Sequence, residues 1–113
     1  MKLSKSDRKA ARTIIEKGLM IEYANGLQKF DEIIQKWKGT GSDNREAYIA
    51  MFDSFKKYDK HIAQRYDAMK GSDYLWTIAA QILDNVIEEH ELEQLSGEAR
   101  EFILNLIKQR IDL

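Results

Sequence analysis

The densest set of chemistry-bearing side chains in the chain is the run from Tyr58 to Asp67, which holds Asp59, His61, Arg65 and Tyr66 within two helical turns. At 100° per residue, Asp59 and Arg65 fall on opposite shoulders of an apolar seam with Tyr58 and Tyr66 between them, while His61 sits farther out. An arginine in that position can pair an anion, and a carboxylate, an imidazole and a phenol beside it can hold a polar ligand or move a proton. The same residues also suit plain architecture, in which Asp59 and Arg65 pair with neighbouring helices and the tyrosines pack their rings and bond their hydroxyls. The structural alternative is the favoured one. His90, in line with the seam of a later helix and close to its C-terminus, fits a residue stabilised by the helix dipole and its acidic neighbours better than it fits a ligand.

Other chemistries find no support. Di-metal carboxylate bundles need Glu-x-x-His pairs, but Tyr58 stands three residues before His61 and Ile87 three before His90. The His-Glu-x-x-His zinc spacing is missing, and so are the glycine-rich phosphate loops, since Gly39 and Gly41 lie between two helical patterns with no strand before them. No arginine stands a few residues ahead of a histidine, the arrangement that helical nucleases use. With no cysteine, thiolate nucleophiles, disulfides and cysteine-held zinc are excluded. No cofactor is expected, and the balance leans away from an enzyme.

Charge narrows the partners. The formal net charge is −1, against the strong positive balance of a dedicated nucleic-acid binder. The distribution is uneven: Lys2, Lys5, Arg8, Lys9, Arg12 and Lys17 face only two acids in the first twenty residues, whereas residues 84 to 101 carry seven acids against Arg100. These segments read as solvated faces or as mutually attracting ends, and contact with nucleic acid or an acidic partner through the basic one is the weaker alternative. A recognition helix at the C-terminal end would present Glu98 and Glu101 to phosphates, so a helix-turn-helix is rejected. The polar first residues and the lack of a long apolar run predict no membrane segment and a cytoplasmic setting.

The elements that must carry these residues are helices. Proline is absent from the 113 residues, which favours long uninterrupted ones. Ser4 with Asp7, or Ser6, predicts the start of a first helix running to about Lys38, with Ile15, Leu19, Tyr23, Gly26, Phe30, Ile34 and Trp37 on one stripe. Asn25-Gly26 is a turn signal, yet the stripe continues in phase through it, so one helix is expected. The loop at residues 39 to 42 is followed by a capping box, Asp43 with Glu46, and a helix to about Met69 whose seam is Tyr48, Met51, Phe55, Tyr58, Ile62, Tyr66 and Met69. That aromatic and methionine seam is expected to be core.

Gly71 is expected as a left-handed cap and Ser72 as the N-cap of a third helix, from about Asp73 to Glu89. Ser96 should cap a fourth, from about Gly97 to Ile111, with Phe102, Ile103, Leu106, Ile107 and Ile111 inward. The fold class is therefore all-α: a four-helix bundle or orthogonal four-helix array with a long first helix, in one domain spanning residues 1–113. Ala10, Ile14, Ile21 and Ala24 form a second apolar stripe on the first helix. Apolar surface on two sides needs two partners, so the leading expectation is a non-enzymatic interaction or structural module that self-associates as a homodimer. The alternative is a small-ligand binding protein or minor enzyme using Asp59, His61, Arg65 and Tyr66.

Overall fold

A computed structural model describes residues 2–111, with no side-chain description for Ile111, so that member of the expected inner stripe lies outside the described residues. The order is α1 (Lys5–Thr40), α2 (Asn44–Tyr66), a 3-10 turn (Gly71–Asp73), α3 (Tyr74–Leu83), a second 3-10 segment (Glu89–Gln94) and α4 (Gly97–Ile111). The described residues contain no strand, and no helix among them is long and apolar enough to cross a membrane. The protein is an all-α array with a long first helix.

The 36 residues of α1 pass through Asn25-Gly26 without a break. Ser4 is its cap: the hydroxyl accepts from the Asp7 amide at 3.0 Å. At the other end Gly41, with φ +61°, donates its amide to the Trp37 carbonyl at 3.1 Å and turns the chain. Asp43 then opens α2 by accepting from the Arg45 amide at 3.2 Å. Two expectations are corrected here. Gly71 is not left-handed; it opens the 3-10 turn, and the Asp73 carboxylate reaches back to the Lys70 amide at 3.0 Å. The third helix also stops at Leu83 and not at Glu89, because Asn85 takes φ +58° while its amide bonds Ile82 and the Val86 amide bonds the Gln81 carbonyl. That pair of bonds is a Schellman stop with asparagine in the position glycine usually fills.

The chain divides into two compact units, residues 1–20 with 69–113, and residues 21–68. The first holds the apolar core: Ile14, Ile78, Ala99 and Ile103 are fully buried, with Ile15, Leu75, Leu92 and Leu95 nearly so. Inside it the Gln81 amide donates to the Ile15 carbonyl at 3.1 Å. A Cβ on Gly18 would lie 2.2 Å from that amide nitrogen, so only glycine leaves room for it. Asp7 links two helix starts. Its carboxylate accepts from the Ser96 amide at 2.8 Å and the Ser96 hydroxyl at 2.6 Å, while Ser96 caps α4 by accepting from Ala99. These bonds hold the Asp7 carboxyl below the usual aspartate value of 3.8, against the opposing effect of burial.

Candidate functional site

The second unit is an antiparallel hairpin of the C-terminal half of α1 and all of α2. The two helices come close at Gly26, where an added Cβ would stand 2.6 Å from Tyr58 Cε1. The ring of Tyr58 therefore lies directly on the α1 backbone, and its hydroxyl donates to the Glu22 carbonyl. Phe30 meets the same ring edge-on at 6.2 Å and the Phe55 ring at 5.7 Å. Burial, followed by the charge of Glu22, pushes the Tyr58 hydroxyl above its ordinary 10.0.

One turn nearer the N-terminus, Glu22 is the centre on which the expected polar cluster converges. Its carboxylate accepts from Arg65 Nη1 at 2.9 Å and from the Tyr66 hydroxyl, and lies 2.8 Å from His61 Nε2. Glu22 is 3% exposed, so the ionised carboxylate is compensated by neighbours in place of water. Three of the four predicted site residues, His61, Arg65 and Tyr66, are thus brought together; Asp59 is exposed and outside the group. The arrangement directs the predicted polar groups to a carboxylate of the same chain. Sequence reading missed Glu22, although its register was visible: Ile15, Leu19, Glu22 and Gly26 follow at four, three and four, which puts a carboxylate on the apolar seam. No group of three or more acidic or histidine side chains able to hold a metal is found among the described residues.

The other predicted stripe does not stay together as a surface. Ile14 is fully buried in the first unit, Ala10 and Ile21 are half-buried, and Ala24 is exposed. Of the basic segment, Lys17 pairs with the buried Glu91, which also accepts from Gln94 at 3.0 Å, whereas Lys2, Lys5, Arg8, Lys9 and Arg12 are exposed.

The aromatic seam of α2 departs from its expected role as core. Tyr58 and Ile62 are covered, but Tyr48 is 77% and Phe55 55% exposed, and Phe52 beside them is 58% exposed. On α1, Tyr23, Leu27, Ile34 and Trp37 are also open. Projection shows that these residues form a single face. Taking the Gly26–Tyr58 contact as the inward direction, Tyr23, Leu27 and Ile34 lie roughly a quarter turn around α1 and Tyr48, Phe52 and Phe55 about a quarter to a third of a turn around α2. Because the two helices run antiparallel, those rotations bring both sets to the same side of the hairpin, and the Phe30–Phe55 ring contact joins them. At the tip, Ile33, Ile34, Trp37, Ala47, Tyr48 and Met51 line a shallow apolar groove. Two helices can cover only one stripe of each other, and among the described residues Ile62 is the only large apolar side chain of this unit that is buried. No protein-family model matches the sequence, and comparison with curated proteins and with solved structures returns no match.

Proposed function

We propose that this chain is a non-enzymatic helical interaction module of the cytoplasm, whose contact surface is the apolar face of the α1–α2 hairpin. The observation that carries the reading is the co-facial exposure of Tyr23, Leu27 and Ile34 with Tyr48, Phe52 and Phe55. Scattered apolar side chains are normal on a protein surface, but a contiguous aromatic patch in water costs hydration free energy that a partner helix removes. The face has the make-up of a helix-docking surface: aromatic rings at helical spacing, a groove beside them and charged residues on either flank. The Glu22 cluster supports this role by fixing the pitch at which the two helices present their open sides. Self-association, expected from the sequence, belongs to this reading, at a surface other than the stripe that includes the buried Ile14.

Hydroxyl-radical oxidation read by mass spectrometry tests it. The dilute purified chain should be oxidised readily at Tyr48, Phe52 and Phe55. In extract of the cells that make the protein the three should be protected, while Trp76, also half-exposed but on α3, keeps its reactivity. Equal oxidation at all three in both settings would refute a docking role for this face.

A further inference from the structure

We propose that the occupant of the hairpin face is the same face of a second copy of this chain, so that two hairpins close on each other as a four-helix interface. The inference rests on the docking role just argued and names its partner.

Area is the first argument. Tyr23, Trp37, Tyr48, Phe52 and Phe55 are each between 39% and 77% exposed, and Leu27 and Ile34 are 67% and 38% exposed. With aromatic side chains offering 150–250 Å² each, the seven present on the order of 700 Å², close to the ~800 Å² per partner of a standard interface. That is enough for two copies to bury a stable contact using these residues alone, and more than a monomer ordinarily leaves in water.

Charge is the second. Residues 21–68 carry eight basic side chains and eight acidic ones, so the hairpin has no net charge. An anionic lipid surface, a nucleic acid or a strongly charged protein gains no electrostatic attraction from such a unit. A second copy meets no net repulsion. Both flanks of the open face also carry both signs: Asp31 and Lys38 on the α1 side, Arg45, Lys56 and Asp59 on the α2 side, all exposed. A two-fold interface sets one patch against itself, so its rim must offer acid and base together, and this rim does. The apolar part has the same property, because it combines projecting rings, Phe52 and Phe55, with the recess lined by Ile33, Trp37, Ala47 and Met51. Each copy supplies both the knob and the hole.

Sedimentation equilibrium of the full chain and of two variants, Phe52→Glu and Phe52→Lys, tests the assignment. Phe52 is open to solvent, so both variants should keep the helical circular dichroism of the parent. The parent should be a dimer that dissociates on dilution, and each variant should weaken self-association by at least about thirtyfold, the loss of one interface hot spot. A parent that is monomeric at every concentration, or a dimer that both variants leave unchanged, would overturn the proposal. A monomeric parent whose Tyr48, Phe52 and Phe55 are nevertheless protected in cell extract removes only the second copy as occupant; a monomer unprotected in extract removes the docking face as well.

Discussion

Replacing Gly26 with alanine should destabilise the hairpin even though alanine is the better helix former by about 1 kcal/mol. The new Cβ would stand 2.6, 2.8 and 3.2 Å from Cε1, Cδ1 and Cζ of Tyr58. Carbon atoms rest at about 3.5–4.0 Å, so the ring must retreat by roughly 1 Å. It cannot do so freely, because its hydroxyl is held by the Glu22 carbonyl and its faces meet Phe30 and His61 at centroid distances of 6.2 and 5.8 Å. Overpacking of this kind costs about 1–3 kcal/mol and loss of the hydroxyl bond about 1 more. After the helix-propensity gain the net is about 1–3 kcal/mol of destabilisation. Removing the obstacle reverses the sign: in a Tyr58→Ala chain, Gly26→Ala should stabilise by about 1 kcal/mol. Urea denaturation followed by tryptophan fluorescence reads both arms. The chain has two tryptophans, and a Trp76→Phe background leaves Trp37, on the hairpin, as the reporter. A midpoint that rises on Gly26→Ala while Tyr58 is present would refute the close approach as the reason for glycine there.

Glu22→Ala should cost about 3–5 kcal/mol in the same assay, since it takes the carboxylate away from a guanidinium that is only 14% exposed. Glu22→Gln removes the charge but keeps one acceptor oxygen for Arg65, and should cost less, about 1–2 kcal/mol; a loss near zero would refute a charge-based role. Asp7 has its carboxyl held below 3.8 in the folded state, so its contribution is full above that value and is lost as pH falls through the lower folded-state one. Asp7→Asn should flatten stability against pH in that acid window, and an unchanged slope would refute the assignment. Tyr58 has the opposite sign for base: its hydroxyl is raised above 10.0, so stability should fall as pH climbs from 10.0 through the higher folded value, and Tyr58→Phe should remove that alkaline loss in a titration followed by circular dichroism.

The features legible in the sequence were those governed by local chemistry repeated over many residues. The unbroken first helix followed from the phase of its stripe through Gly26, and Ser4, Asp43 and Ser96 announced three helix starts because caps are read within four residues. Where two local signals competed the outcome was hidden. Val86 and Ile87 continue the apolar period of α3, yet Asn85 ends the helix, and the bonds that decide it run to Gln81 and Ile82 only once the chain has turned back. Glu22 was missed for a different reason: its partners are 36 to 44 residues away, and spacing shows that a carboxylate is on the seam without showing what compensates it. Periodicity also cannot distinguish a seam covered by its own chain from one left open, which is why Tyr48 and Phe55 read as core.

The Asn25-Gly26 pair inside α1 gives the hairpin a chemical clock. Asparagine followed by glycine is the dipeptide most prone to deamidation, because the unhindered glycine nitrogen can attack the asparagine side-chain carbonyl and close a succinimide ring. Helical backbone angles hold that nitrogen away from the carbonyl, and its hydrogen is committed to the helix ladder. Ring closure therefore proceeds only while this stretch of α1 is unwound. Isoaspartate accumulating at residue 25 over weeks of storage then integrates the fraction of time the hairpin spends open, and anything that closes its exposed face slows that ageing in proportion.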